Sequence, residues 1–266
     1  MLERVLSPEG VVTYVSPLLR KVGVPHAFST RIGGVSPPPF DSLNLGNPNG
    51  CHIQDQSARI RENYRLLQRA AGCADRHLTY LHQVHGGGVI TLRVRQSHDN
   101  DTRGDALVSD DPSRALSVRI ADCVPLLLAS DDGKMVAAVH AGWRGVIAGV
   151  AVNAIGQMNH LGDVPAERIV AAIGPSIGFD SFEVGPEVIE AFVAAFGPDA
   201  PVRRRDDGKG YVNLAEALRR QLRAAGIRAE LLDWTDRCTF RDANEFYSHR
   251  RDQGVAGRMA ALIAAA

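Results

Sequence analysis

Two apolar runs, residues 124–129 and 135–139, are separated by Ser130-Asp131-Asp132-Gly133-Lys134. That linker is a turn signal, and two strand-length apolar runs around it read as a β-hairpin. The open end of the hairpin carries reactive residues. Cys123 stands just before the first strand, and His140 ends the second. Folding about Asp131 and Asp132 sets them opposite each other to within about two residues of register, where Cβ atoms are roughly 4.5–5.5 Å apart. One metal ion bonded at about 2.0–2.3 Å to a thiolate and an imidazole spans that gap.

A third soft ligand, His85 in Gln83-Val84-His85-Gly86, must arrive from another element. One thiolate and two imidazoles suit zinc or copper with an open coordination position. Such a position lets a metal activate water or polarise a substrate, which points to an enzyme. Spacing alone does not establish the metal, because it matches no compact pattern such as CxxC or HExxH. A lone Cys beside an apolar strand is more often a small buried hydrophobe. The hairpin pairing and the glycines beside both histidines favour the set over that reading.

Charge excludes some functions. The chain has 30 basic and 30 acidic residues, a net charge of zero that suggests neither a nucleic-acid binder nor a membrane-surface protein. The cluster Arg203-Arg204-Arg205 is followed at once by Asp206-Asp207 and reads as a solvated loop. No apolar run is long enough to span a bilayer. The first ten residues, with Glu3 and Glu9, lack the apolar core of a signal peptide. Cys51, Cys73, Cys123 and Cys238 are too scattered for a disulfide framework, so a reducing cytoplasm is the expected location. With no repeat and no long linker, the expectation is a single domain over residues 1–266, as a monomer or small homo-oligomer.

Strands are expected at 11–15, 27–29, 78–84, 106–109, 116–120, 168–173, 230–234 and 258–263. Helices are expected at 55–71, 145–158, 186–196 and 213–225. In the first helix Ile60, Tyr64, Leu67 and Ala71 share one face, and Gly72 ends it. Asn213 reads as an N-cap, with Gly197 and Gly226 as stops. Hairpins mixed with helices, without a regular βαβ succession, indicate an α+β fold of mixed sheets layered with helices.

Other residues are candidates for substrate. The segment 140–145 runs from a strand into a helix start, where backbone N–H groups and the helix dipole can hold an anion. Arg144 adds a fixed charge there, although Gly142 and Gly145 are equally well explained by a tight turn. Residues 31–50 form a long polar loop with no Walker A and no GxGxxG pattern, in which Arg31 and Asn44 are candidates for a polar substrate. Asp122 is a candidate general base or ligand-orienting group, with Glu183 as runner-up acid. Ser248-His249-Arg250-Arg251-Asp252 is a compact polar segment that could contact substrate.

Taken together, several segments resemble the laccase-domain family of YfiH-type, polyphenol oxidase-like proteins. They are Thr30-Arg31 with Gly33-Gly34-Val35-Ser36, Ser42-Leu43-Asn44-Leu45-Gly46, Gln83-Val84-His85-Gly86, Ala121-Asp122-Cys123, His140-Ala141-Gly142-Trp143-Arg144-Gly145, Ile173-Gly174-Pro175-Ser176-Ile177 and Tyr247-Ser248-His249-Arg250-Arg251-Asp252 with Gly257-Arg258. They run in order over nearly the whole chain. The resemblance implies zinc on His85, Cys123 and His140. It implies phosphorolysis of adenosine, inosine and S-methyl-5'-thioadenosine to free base and sugar 1-phosphate, with adenosine deamination as a second activity. It also implies a copper-dependent polyphenol oxidase activity, and kinship of fold with the deamidase domain of cytotoxic necrotising toxins. His82, three residues before His85, is an extra imidazole not carried over as a ligand.

Three rivals stand beside that expectation. A trinuclear copper oxidase needs many imidazoles, commonly in His-X-His pairs, and this chain has nine histidines and no such pair. A cysteine hydrolase would use Cys123 as nucleophile and His140 as base, on a peptide or cell-wall precursor. A non-enzymatic, zinc-stabilised binding protein would normally offer four protein ligands, against the three identified. A deaminase of the cytidine type would show His-x-Glu and Pro-Cys-x-x-Cys, which are absent.

Overall fold

The hairpin forms. Val124–Ser130 pairs antiparallel with Val136–Ala141, placing Pro125 opposite His140 and Val124 opposite Ala141. In the computed structural model, which describes residues 1–48 and 50–266, both strands are buried along their whole length. Strands covered on both faces read as continuous apolar runs, which is why this pair was so visible in the sequence.

The hairpin is the middle of a six-stranded sheet ordered Leu232–Asp233, Ile169–Ile173, Val124–Ser130, Val136–Ala141, Ala106–Ser109, Val89–Leu92. One face, with Val124, Leu126, Leu128 and Val139, packs on Ala154, Met158, Phe192 and Leu218 of the helices Val150–Gly162, Pro186–Phe196 and Leu214–Ala224. The other face, with Leu127, Ala129 and Val136, packs on Phe28, Leu116, Val118 and Ala261 of a second sheet. That sheet runs Glu3–Leu6, Val12–Val15, His26–Ser29, Met259–Ala264, Arg114–Ile120, His77–Thr79. Its outer face, with Ala27, Ala115 and Leu262, lies under Tyr64 and Leu67 of the helix Ser57–Ala70. The result is an α+β fold in four layers: helix, sheet, sheet, helices. A three-stranded sheet of Glu183–Val184, Gly210–Val212 and Val202–Arg204 lies apart from both.

Local signals set the helix ends. The Asn213 side chain accepts the Glu216 N–H at 3.0 Å, and Gly226, at φ +105°, follows the helix end. Pro186 opens the helix Pro186–Phe196, and Gly197 caps it at φ +76°.

Four expectations need correction. The strand expected over 78–84 is confined to His77–Thr79, and the chain then turns irregular up to His85. The helix expected over 145–158 is two helices, Trp143–Ile147 and Val150–Gly162, broken at Gly149 with φ +70°. The strand expected over 230–234 is only Leu232–Asp233, because a turn of 3-10 helix occupies Ala229–Leu231. The basic run at 203–205 is solvated as expected but is not all loop: Arg203 and Arg204 belong to the exposed strand Val202–Arg204, with Arg204 paired to Glu190 at 2.7 Å, and Arg205 just beyond it pairs with Glu183 at 2.6 Å. Among the described residues, no helix is long and apolar enough to cross a membrane.

Candidate metal centre

Cys123 directly precedes the strand Val124–Ser130, and His140 lies opposite Pro125 at the same end of the hairpin. Both look from the open end of the hairpin into the space between the two sheets. His85 closes the set from the irregular loop before Val89–Leu92. The ligand atoms of His85, Cys123 and His140 all lie within 4.8 Å of one another. The two imidazoles meet edge to face, with centroids 4.8 Å apart and planes at 81°.

One residue that sequence reasoning missed holds this arrangement. Asp105 is fully buried directly before the strand Ala106–Ser109. Its carboxylate accepts the backbone N–H of His85 at 2.9 Å, of Gly86 at 2.7 Å and of Val84 at 3.3 Å. It also lies 2.9 Å from His140 Nδ1. A side-chain acceptor thus replaces the sheet ladder expected for 78–84, and the loop can carry His85 at φ +60°. Burial raises the Asp105 carboxyl, but hydrogen bonds from His140 and from the Gly86 and His85 amides outweigh it and hold the group below the usual carboxylate range. An ionised carboxylate only accepts, so Nδ1 of His140 carries a proton in either charge state, and Nε2 is the ring atom left to face the site and to ligate once its own proton is displaced. An acid ahead of an apolar strand is too common a pattern to have marked Asp105 in the sequence.

The electrostatics favour a thiolate. Burial pushes the Cys123 thiol up, yet the His140 charge and hydrogen bonds from His140 and His85 bring it down to about 6. Burial likewise lowers His140, but the Cys123 charge and Asp105 raise it to about 9. The pair therefore rests as thiolate and imidazolium, and a divalent cation can take the place of the shared proton.

Gly142 is the floor of the cradle. A Cβ there would lie 2.9 Å from His85 Cδ2 and 3.1 Å from Cys123 Sγ. Both are ligand side chains, and neither can retreat without leaving the cluster. Gly142→Ala is expected to lower zinc affinity roughly tenfold, the lower end of what loss of a ligand-supporting group costs. Competition with a chromophoric chelator would check it, and wild-type affinity in a folded variant would show that the cradle tolerates a methyl group.

The ligands form one wall of a cavity of about 270 Å³, shared with Asn47, His82, Gln83, Arg119, His249 and Arg258. Gln83 pins the His85 loop to the neighbouring strand, donating to the Arg119 carbonyl and accepting the Arg119 N–H, each at 2.8 Å. Of the segment 248–252, His249 reaches the cavity.

Arg31, Asn44 and Arg144 do not line it. Arg31 pairs with Asp41 at 3.1 Å, donates to the carbonyls of Asp41 and Ala243, and stacks over Tyr247. Asn44 is fully buried, donating to Asp55 and accepting from the backbone of Gly46 and Arg258. Arg144 is exposed over the Trp143 ring at 4.3 Å, on a helix of only five residues. Asp122, at φ +94°, turns its carboxylate away from the ligands, accepting from Thr239 Oγ1 at 2.7 Å and from the Arg250 N–H at 2.7 Å. Glu183 is engaged by Arg205 and Lys209 outside the cavity. Arg119 escaped notice, and Arg258 entered only within a family-like segment with no role assigned, because an arginine in or beside a strand carries no local signal. Only the fold turns the pair toward the ligands.

Residues 25–266 match the family described as multi-copper polyphenol oxidoreductase laccase. A Shigella flexneri protein named purine nucleoside phosphorylase YfiH is 40% identical over 241 residues, covering 91% of this chain and 93% of the relative. A purine nucleoside phosphorylase of Deinococcus radiodurans is 39% identical over 250 residues, covering 93% of this chain and 92% of the relative. The crystal structure of YlmD from Geobacillus stearothermophilus superposes with a TM-score of 0.86 at 30% identity, covering 98% of each chain. The chain belongs to the laccase-domain family of YfiH-type proteins.

Proposed function

We propose that this chain is a zinc-dependent purine nucleoside phosphorylase of the cytoplasm. Residues 1–266 act as one catalytic unit on adenosine, inosine and S-methyl-5'-thioadenosine, releasing free base and sugar 1-phosphate, with adenosine deamination as a side activity. The observation that carries the reading is the convergence of His85, Cys123 and His140 on the wall of a polar cavity. Relatives named purine nucleoside phosphorylase support it.

The donor set fits the metal: three soft ligands converge, the thiol is poised to ionise, and Gly142 leaves room. Bound there, zinc would supply a Lewis acid with an open position. The protein's own part is orientation. Asp105 fixes the His140 tautomer and pins the His85 loop, and Gln83 ties that loop to the cavity wall. Burial, with the neighbouring Arg258 charge, lowers His249 below the usual histidine range. It is therefore neutral at pH 7 and offers one donor and one acceptor to a purine edge. Asp122 acts as an anchor for Thr239 and the 248–252 segment, not as a base at the ligands. Arg31 and Asn44 organise the 31–50 loop.

A specific observation favours a second reading. Cys123, His140 and Asp105 also form a nucleophile, a base and an orienting carboxylate, the arrangement of a cysteine hydrolase. That reading suits a peptide or cell-wall precursor and the kinship with toxin deamidases that the family resemblance implies. Copper shares the donor preference of the site. A multi-copper assembly, however, needs further ligands, and the described residues hold one cluster of three.

Incubation of metal-quantified protein with adenosine, with and without phosphate, tests the proposal. Phosphate-dependent formation of adenine and ribose 1-phosphate is expected. Inosine alone would mark a deaminase, and no turnover of any nucleoside would sink the reading.

A further inference from the structure

Two cations of the cavity wall form no ion pair with a carboxylate among the described residues, although the Cys123 thiolate lines the same cavity. Arg119 lies on Arg114–Ile120, opposite Ala260 of the neighbouring strand Met259–Ala264. Arg258 is two residues before Ala260 and so shares its face. Gly46 fits between the two side chains: a Cβ there would lie 2.9 Å from Arg119 Cδ and 3.5 Å from Arg258 Cβ. Both guanidinium groups line the cavity that holds Cys123.

Their bonds within the protein leave the charge intact. Arg119 Nη2 donates to the Leu81 carbonyl at 3.1 Å, and the group stacks over Tyr80 at 5.0 Å. Arg258 Nη1 donates to the carbonyls of Ala256 at 2.7 Å and Gly257 at 3.2 Å. A carbonyl satisfies one N–H and neutralises nothing. Each guanidinium has five N–H donors, so several remain for a ligand. Among the described residues no carboxylate pairs with either group, whereas Arg31 outside the cavity is paired with Asp41. Two like charges half-buried side by side repel, and an anion between them removes that cost. Forked donors on a recess floor match a tetrahedral oxyanion bidentately.

We infer that Arg119 and Arg258 are the phosphate-binding pair of this cavity, holding free phosphate as the second substrate beside the nucleoside. The inference rests on the phosphorylase reading. It also gives Asn44 a role: its Oδ1 accepts from both Arg258 N–H and Gly46 N–H, so one buried amide fixes the spacing of the pocket floor. In the reaction a phosphate oxygen bonds to the ribose C1' as the C1'–N9 bond breaks. The electron pair leaves with the purine, and the proton of hydrogenphosphate ends on the purine nitrogen.

The test is calorimetric titration of inorganic phosphate, and separately of adenosine 5'-monophosphate, into zinc-loaded wild type, Arg119→Gln and Arg258→Gln, alongside steady-state kinetics. Each substitution is expected to weaken phosphate binding at least about tenfold, as loss of a charged hydrogen bond does. The KM for phosphate should rise in step, with that for adenosine unchanged. Should Arg258→Gln not fold, Arg258→Lys keeps the charge and loses the fork, and is expected to weaken phosphate alone. Phosphate affinity unaltered by the substitutions would overturn the assignment even if the enzyme is a phosphorylase. Phosphate binding lost in the variants, with no nucleoside cleaved by wild type, would uphold the pair and sink the phosphorylase reading. Binding of the monophosphate through the arginines, with none of free phosphate, would overturn the role as a second-substrate site.

Discussion

Rigorous removal of zinc is expected to abolish nucleoside cleavage, and restoring zinc to recover it. Cys123→Ser should fail in the same way, through lost metal. Losing a group that only orients a ligand costs about 10–100-fold in metal affinity, so losing the thiolate itself is expected to cost more. Metal content and turnover measured on the same samples before and after chelation decide the matter. The alternative predicts the reverse. If Cys123 attacks the substrate, its partner His140 must be free to take a proton, and bound zinc would inhibit by occupying both. Two histidines converge on one cysteine here, one more than a thiolate–imidazole pair requires. Full activity in zinc-free protein would refute the metal reading and promote the arrangement with Cys123 as nucleophile.

The second large effect belongs to Asp105. Asp105→Ala removes the acceptor for the His85, Gly86 and Val84 amides and for His140 Nδ1 at one stroke. A destabilisation on the order of 3 kcal/mol is expected, given that each stranded buried donor costs about 1–3. Asp105→Asn keeps the shape but turns an N–H₂ toward groups that donate, so zinc affinity is expected to fall about 10–100-fold in a folded protein. The pH dependence has a definite sign. Asp105 titrates lower in the folded state than unfolded, so its contribution is present above about pH 4 and lost as pH falls through its folded value. Denaturant melts at several pH values should show Asp105→Asn with a flatter acid limb than wild type. Equal acid limbs would mean the carboxylate is not held as described.

Cys123 and His140 were legible in the sequence because they sit at the open end of an element with a strong signal. Apolar runs around a turn define the hairpin, and its register places Cys123 near His140 without any long-range information. The strands Ala106–Ser109 and Met259–Ala264 and the helix Pro186–Phe196 were legible for a similar reason: each is a run with a clear stop. Glu3–Leu6 was not, because all four of its residues are exposed and show no burial pattern. The loop at 80–88 misled because its amides are satisfied by a carboxylate 20 residues further on, which no local pattern encodes. Arg31 and Asn44 were chosen as polar residues of a loop rich in donors and turn residues, and Arg144 as a cation at a helix start. Such loops hold themselves together with the same groups that could hold a substrate, and Arg31 and Asn44 are spent on the loop while Arg144 lies exposed over Trp143.

The strand Met259–Ala264 lies between His26–Ser29 and Arg114–Ile120, and Ala261 pairs with Phe28 across more than 200 residues of chain. Until that strand inserts, its sheet exists as two halves with open edges facing each other. Closing so long a loop carries an entropic toll that precedes any reward from pairing, so this half of the molecule is a late and slow step of folding. The metal hairpin, whose strands are joined by a short turn, can form early. The cation Arg258, which abuts the inserting strand, is delivered to the cavity last. A chain stalled before that step would carry an assembled ligand pair and two unpaired sheet edges, the species most exposed to aggregation.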